Sequence, residues 1–556
     1  MFAGSPTSPR SATAGILVAL LAGAGWAQEE ASSKTRPAVS PPDQETQASE
    51  AGAEPEPEQP RYRFLDDASH LLGDWLDSGL VEPLELGASQ GGRPIFGVQF
   101  GGAGGRPLAE RSTIFLVGGL DGISMAGSEA VIRAVDGLLA RADQLPPDVA
   151  FVVVPWANPD GLARWRALGC ADGRNDRPVD DDGDGRVGED GPDDVDGDGI
   201  VLEMLLEDRD GTWVLGPDGR FLQPAREGEA PRFLRTREGE DDDGDGLYNE
   251  DAGGGVVIDH NFPVHWRGAW TGVPSGMWPL SEPASAALAE LALRRRTALF
   301  LSFQGNHGLL AGPGGLTPPP GASELDFPLA CDAPAYRTLL ESFRRTASRA
   351  QDHLPSLQAA SGKDRPGTAV DWFYAALGAL SAEVAIWGPH LASSGESPAG
   401  PAYPSSTDEA WAGWLDETRG GIGFVKWQPL DLAGGQTAWI GGWKPFTCFN
   451  PEPATMLELA RGLDEFCLDL ASGLPRLQLE FEERSREGNV CFLRGRLRNA
   501  GRLPSGVGPG GKDYGARVRV DVRHLLALME AIGGADLHTL FVFAAKTGLS
   551  DHMRRQ

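Results

Sequence analysis

Thr113-Ile114-Phe115-Leu116-Val117-Gly118-Gly119-Leu120-Asp121-Gly122-Ile123-Ser124 is the stretch whose reading decides the fold. Its first half is a short apolar run rich in β-branched and aromatic residues, which reads as a buried strand. The run breaks at a Gly pair, where backbone turns sharply or approaches a ligand closely. Ile132, Val135, Leu138 and Leu139 then recur at helical spacing between Ser128 and Ala142. A second apolar run, Val149 to Pro155, leads into the turn Asn158-Pro159-Asp160-Gly161. Strand, helix, strand at this spacing is a βαβ unit and predicts a parallel or mixed sheet. In such sheets, site residues gather at the carboxyl ends of the strands, which draws attention to Asp121 and Ser124.

Outward from this unit the pattern continues. Phe64, His70, Leu71, Leu72 and Trp75 suggest a first helix, and Val81 to Phe100 alternates as a hairpin with Gly91-Gly92 at its turn. Val256 to Pro263 reads as strand and then turn. Ser281-Glu282-Pro283 opens a helix, and Thr297 to Phe303 is a strand ending at Gln304-Gly305-Asn306-His307. Gly312 to Gly321 reads as a loop, Ala333 to His353 as a helix, and Gly367 to Tyr374 leads to a strand holding Glu383. A long polar loop ends at Gly441-Gly442-Trp443-Lys444-Pro445, and Ala454 to Leu470 reads as the last helix.

The chain has 556 residues, of which 41% are hydrophobic, so it can build two or three domains around a large core. Lys and Arg number 49 against 79 Asp and Glu, a net charge of -30 that argues against nucleic acid or an anionic membrane as partner. Arg10, the apolar run Ala14 to Ala24 and the small residues of Gly25-Trp26-Ala27 read as a secretory signal over residues 1–27. No later stretch is long and apolar enough to span a bilayer, so a secreted or periplasmic mature chain is expected. Residues 28–60 are rich in Pro, Glu, Ala and Ser and read as a linker that buries too little to fold. The main domain is expected over 61–474. From about Pro475 the texture changes to separate strand signals, Leu477 to Phe481, Asn489 to Leu497, Ala516 to Val522 and Leu540 to Ala544. These suggest a β-sandwich-like module over 475–556. The five Cys residues lie far apart, show no metal-type spacing, and assign no disulfide.

Residues 180–251 interrupt the α/β pattern with three copies of one spacing. Asp180, Asp182, Asp184, Gly185, Glu189 is followed by Asp194, Asp196, Asp198, Gly199, Glu203 and later by Asp241, Asp243, Asp245, Gly246, Glu250. Calcium loops place carboxylates at alternate positions around a hard cation, with a Gly for the sharp turn. The closing Glu stands at the tenth position here rather than the twelfth, so the loops are a shortened variant. Calcium is the expected ion, since crowded carboxylates without a cation repel one another.

The Gly-Gly strand end, Asn158-Pro159-Asp160-Gly161, Asn261-Phe262-Pro263, Ser281-Glu282-Pro283, Gln304 and Glu383 occur in an order that resembles the zinc carboxypeptidase family, in a bacterial branch with an acidic insert. The resemblance covers roughly Tyr62 to Leu470. It implies a mixed twisted α/β sheet between helices, carrying the acidic insert and a trailing β-module. It also implies where the family's zinc ligands, a His-x-x-Glu pair and a later His, would stand. Asp121, Ser124 and Gln304 occupy those positions here, and no His-x-x-Glu occurs in the chain. Ser and Gln are poor zinc ligands, so the set argues against zinc. The family's Asn-Arg before Asn-Phe is Asp259-His260, which exchanges an arginine fork for an acid and a His. Arg174 or Arg177 is the candidate replacement for gripping an anion. Glu383 matches the family's general base, and without an activated water it is expected to be inactive. The leading expectation is therefore a catalytically degenerate pseudopeptidase with a cleft for a peptide or other extracellular ligand. The alternatives are an active metallocarboxypeptidase with a site rebuilt around Asp121 and His307, and a calcium-stabilised extracellular structural or binding protein.

Overall fold

The structure is a computed structural model. It describes residues 61–508 apart from 105, 171, 180–184, 189, 243, 245, 247, 250–254, 305–309, 314–331, 348–357, 360–365, 388–415, 417–419, 422, 433–434 and 488–489. The signal segment, the linker, His307, and the strands expected at Ala516 to Val522 and Leu540 to Ala544 lie outside the described residues. So do Asp180, Asp182, Asp184, Glu189, Asp243, Asp245 and Glu250.

The opening stretch folds as its pattern dictates. Strand β3 (Ser112–Gly118) lies at the centre of an eight-stranded sheet with every residue from Thr113 onward buried. The sheet begins with the hairpin β1 (Glu82–Ala88) and β2 (Pro94–Gly101), which pairs antiparallel with β4 (Val149–Val154). Strands β4, β3, β9 (Arg296–Gln304) and β12 (Leu380–Ala385) run parallel to one another. Strands β10 (Leu310–Gly312) and β11 (Gln358–Ala359) complete the far edge, with β10 antiparallel to β12. The sheet is mixed, as the βαβ reading requires.

Its two faces bury separate apolar clusters. One face packs Ile114, Leu116, Leu301 and Phe303 against the helices Met125–Ala140 and Leu463–Gly473. The other packs Phe115, Val117 and Phe300 against Pro283–Leu293 and Ala369–Ala375. Phe300 and Phe373 stack there with ring centroids 3.9 Å apart. Alternation along a strand buried on both faces needs a continuous apolar run, which is what Ile114 to Val117 supplies.

Three sequence expectations are corrected. Val256 to Pro263 forms no strand: its residues make one bridge, Arg174 to Val257, and then a 3-10 turn at Ile258–His260. The Val256 N–H bonds the Asn175 side chain and the Val257 N–H bonds Pro274, so the backbone is satisfied outside a ladder. The last helix is two helices, Pro453–Leu459 and Leu463–Gly473. They part at Gly462, whose φ of +80 and contact with the Thr346 carbonyl admit no side chain.

The third correction concerns the acidic insert and the long loop after Glu383. Strands β5 (Glu203–Glu207), β6 (Trp213–Leu215), β7 (Leu222–Pro224) and β8 (Phe233–Arg237) join β13 (Phe424–Asp431) and β14 (Thr437–Trp443) in a second, six-stranded sheet. Its order is β13-β14-β5-β8-β6-β7. Met204, Leu206, Ala438 and Ile440 bury one of its faces, so two segments distant in sequence share one small core. Beyond it, β15 (Leu477–Glu487) and β16 (Val490–Asn499) form a hairpin. The chain then returns to the main domain, burying Leu503 and Val507 in the main apolar cluster. Cys170 and Cys467 are buried free thiols.

Candidate functional site

The turn after β3 is built by its glycines. Gly119 and Gly122 have φ of +62 and +73, the left-handed conformation that Gly adopts without strain. Asp121 lies between them, and its Oδ1 accepts from the backbone N–H groups of Ile123 (3.2 Å) and Ser124 (3.0 Å). Ser124 is wholly buried and caps the following helix, its Oγ accepting from the Gly127 N–H at 3.0 Å. Asn450 clamps the same turn from outside. Its Oδ1 accepts from the Ala126 N–H (2.8 Å) and its Nδ2 donates to the Ile123 carbonyl (3.2 Å).

Gln304 reaches this turn from β9. A Cβ added at Gly127 would stand 2.1 Å from the Phe303 carbonyl and 3.0 Å from the Gln304 Cα, so the helix start and the strand end are in contact. The sheet therefore does bring the Ser124 and Gln304 segments together. The Gln304 side chain is buried, and its Nε2 donates to Ser302 Oγ (3.1 Å) and to Asp259 Oδ2 (3.3 Å). Asp259, also buried, accepts from the Ala369 N–H through Oδ1 at 3.1 Å. Glu383 is 1% exposed and pairs in register with Ser302 on the neighbouring strand.

These donors do not fit a zinc centre. Zinc wants three deprotonated or neutral ligand atoms with lone pairs directed at one point and an open position for water. Here the Ser124 hydroxyl oxygen accepts in a helix cap, the Gln304 amide nitrogen faces a carboxylate and a hydroxyl, and the Asp121 carboxylate holds its own turn. The Ser124 and Gln304 segments meet, but Asp121 and Ser124 are bonded to backbone, and Gln304 to Asp259 and Ser302.

The candidate anion grip is likewise committed. Arg177 Nε donates to both Glu282 oxygens (2.9 and 3.1 Å) and its Nη2 to the Ser281 carbonyl (3.2 Å). Glu282 is fully buried and also receives Asn175 Nδ2 at 2.6 Å and Ser281 Oγ at 2.7 Å. Arg174 forks onto Asp172 with contacts of 2.8 to 3.1 Å. Burial alone would raise the Asp172 carboxyl, but the Arg174 fork and then the Arg237 charge outweigh it and hold it below the usual carboxylate range. His260 places Nδ1 2.8 Å from the Pro366 carbonyl. Asn261 bonds Ser275, Trp278, Ser281, Glu282 and Ser285, and Asp160 accepts from Ser89, Gly91 and Arg93. Asn261 and Asp160 are thus turn-holding groups.

The acidic lobe is arranged differently. Asp194, Asp196 and Asp198 are exposed, and one carboxylate oxygen from each lies within 4.8 Å of the others. Asp194 accepts from the Gly197 and Gly199 N–H groups at 2.9 and 2.8 Å. Asp241 repeats this exactly one copy later, accepting from Gly244 and Gly246 at 2.7 and 3.1 Å. The sixth-position glycines Gly185, Gly199 and Gly246 have φ of +92, +89 and +92. The repeat in sequence is thus a repeat in backbone. Burial and the neighbouring Asp198 and Asp194 charges push the Asp196 carboxyl up. Glu203 stands apart from the cluster at the head of β5, ion-paired with Arg235.

Sequence reading missed Glu238. It is buried and accepts from the Val195, Asp196 and Leu202 N–H groups at 3.0, 3.1 and 2.9 Å, gripping both ends of the second acidic loop. A lone Glu at the end of a strand carries no local signal for this. Asn450 was missed for the same reason, since its partners lie at the other end of the chain.

The family model for zinc carboxypeptidases matches residues 76–196, which include the strand, the Gly turn, Asp121, Ser124 and the Asn-Pro-Asp-Gly turn. The chain is therefore zinc-carboxypeptidase-like, and its mixed α/β fold agrees with that resemblance. Among solved structures it is similar to carboxypeptidase A from Helicoverpa armigera at 15% identity, with a TM-score of 0.36, over 62% of this chain and 67% of that one. It is similar to a metallo-carboxypeptidase from Burkholderia cenocepacia at 12% identity, with a TM-score of 0.31, over 58% and 60% of the two chains. A murein-tripeptide amidase from Escherichia coli O157 matches at 16% identity, with a TM-score of 0.25, over 55% and 83%. No curated protein matches the chain.

Proposed function

We propose that this chain is an exported zinc-carboxypeptidase-like protein that has given up hydrolysis and serves as a calcium-stabilised binding scaffold for a peptide or another extracellular ligand. One observation carries the reading. At the positions where the resemblance places zinc ligands, the polar groups are spent on the protein itself: Ser124 on its helix cap, Gln304 on Asp259 and Ser302, and Asp121 on its own turn. Glu383 then has no metal-bound water to deprotonate and stands as a buried carboxylate beside Ser302. The engagement of Arg177 with Glu282 supports the same conclusion, because the candidate grip for a substrate carboxylate already holds one.

Calcium belongs to the acidic lobe in this reading. The matched turns at Asp194 and Asp241 and the close approach of Asp194, Asp196 and Asp198 support it. The closing ligand is not Glu203, which is occupied by Arg235.

Elemental analysis of the purified mature chain, after exposure to zinc and calcium and exchange into metal-free buffer, tests both parts. Calcium without zinc, with no release of C-terminal residues from a peptide panel, is the expected result. Stoichiometric zinc together with hydrolysis abolished by Glu383→Gln would overturn the degenerate assignment. Calcium absent, and a melting temperature unmoved by chelation, would overturn the role given to the lobe.

A further inference from the structure

Beside the strand-end centre, on the outer side of Asn450, a cavity of about 470 Å³ opens between the main domain and the acidic lobe. Its walls are apolar and aromatic. Trp165 and Phe446 pack with centroids 5.2 Å apart, and Ile200 enters from the second acidic loop. Trp387 turns its indole N–H onto the Thr447 carbonyl at 3.3 Å. Two charged residues line the cavity, Lys444 and Glu452. Glu452 is engaged in an interaction of its own, whereas the half-buried Lys444 ammonium makes no ion pair among the described residues.

We infer that this cavity binds a small amphipathic anion, an aromatic or aliphatic body carrying one acidic group that pairs with Lys444. The volume lies within the range of small-molecule sites, and such sites combine mostly apolar walls with a few polar groups that fix orientation. The aromatic walls supply contact area for the body, and Lys444 supplies the unmatched charge. A neutral ligand of the same shape leaves that ammonium half-buried without a partner, so the acid is preferred. The site does not depend on whether the chain hydrolyses peptides, because none of its lining residues is a zinc-position or general-base residue.

A matched pair of dyes tests this on the full mature chain in calcium buffer: anilinonaphthalene sulfonate and its neutral twin N-phenylnaphthylamine. Binding is read from the emission of the bound dye under direct excitation, and the two variants assign it to the cavity. The sulfonate is expected to bind saturably with one-to-one stoichiometry. Lys444→Met keeps the aliphatic stem and removes the charge. It is expected to weaken the sulfonate about tenfold, the scale of a charge-assisted contact, and the neutral twin less than about twofold. Thr447→Trp fills the cavity and keeps the backbone carbonyl, and is expected to abolish binding of both. Equal weakening of the two dyes by Lys444→Met, or none, would overturn the assignment of the anion to Lys444. Undiminished binding to Thr447→Trp would put the dyes elsewhere and overturn the site. Should Thr447→Trp fail to fold by near-ultraviolet circular dichroism, the Lys444→Met comparison decides alone.

Discussion

The strand-end centre and the acidic lobe both concentrate polar residues, and they treat them in opposite ways. At the centre, Gln304, Asp259 and Glu282 are buried and hydrogen-bonded to other parts of the chain. In the lobe, Asp194, Asp196 and Asp198 are exposed, crowded, and bonded to nearby backbone N–H groups of their own loop. Buried polar groups left unmatched are costly, so polar side chains in a buried centre need partners from the protein. Exposed carboxylates face no such demand, and their mutual repulsion is relieved by an ion. The two regions teach that a polar cluster signals an ion only where its charges remain unbalanced by the protein.

The largest effect that would break this comparison is at Arg177. Arg177→Met leaves the buried Glu282 carboxylate with Asn175 and Ser281 but no cation, and should cost about 3 kcal/mol in urea unfolding. A near-neutral result would mean that the fork is available to a ligand after all. Gln304→Leu comes next. It removes the side-chain donor that Asp259 Oδ2 shares with Ser302 and should cost about 2 kcal/mol. A variant as stable as the parent would show that Gln304 is not structural and would reopen its role as a ligand.

Asp172 gives a smaller, pH-dependent effect. Its pKa is lower in the folded chain than in the unfolded one, so its stabilising contribution is present above the unfolded value of about 3.8. It is lost as the pH falls through the folded value. Asp172→Asn should therefore lower stability by about 1.5 kcal/mol at neutral pH and lose its effect in strong acid. Thermal melts of both proteins between pH 7 and pH 2 would show parallel curves if this is wrong. The smallest effect is expected in the lobe. With chelator present, Asp194→Asn should melt with the parent chain. With calcium present, it should lose most of the rise in melting temperature that the ion confers. A large loss in chelator would make Asp194 a structural cap and remove the contrast between the two regions.

Much of the main sheet was legible because its signals are local. Thr113 to Val117, Val149 to Val154 and Thr297 to Phe303 are short apolar runs, and each is a strand within a residue or so of its expected ends. The helix after Asp121 begins earlier than its apolar spacing suggested, at Met125, because Ser124 caps it. Caps are set by one hydrogen bond and leave little trace in periodicity. The meeting of the Ser124 turn with the Gln304 strand end was legible from their places at the carboxyl ends of apolar runs. What the side chains do was not legible: no sequence pattern predicts that Gln304 donates to Asp259, or that Arg177 is consumed by Glu282, since these partners are far apart in the chain. The second sheet was missed for the same reason. Strands β5 and β14 each look like part of a polar insertion until they are paired.

By itself, the sequence determined the alternation of apolar strand and amphipathic helix, the residue types Asp121 and Ser124 at the Gly turn, and the threefold acidic spacing. All three are written in residue type and short-range order, which local sterics, periodicity and charge translate directly. Only the tertiary structure decided that Gln304 bonds Asp259 and Ser302, that Glu238 grips the second acidic loop, and that Lys444 lines an aromatic cavity beside that loop. Each of these depends on which distant segments meet. That choice is made by the burial of the whole core, and local preference does not encode it.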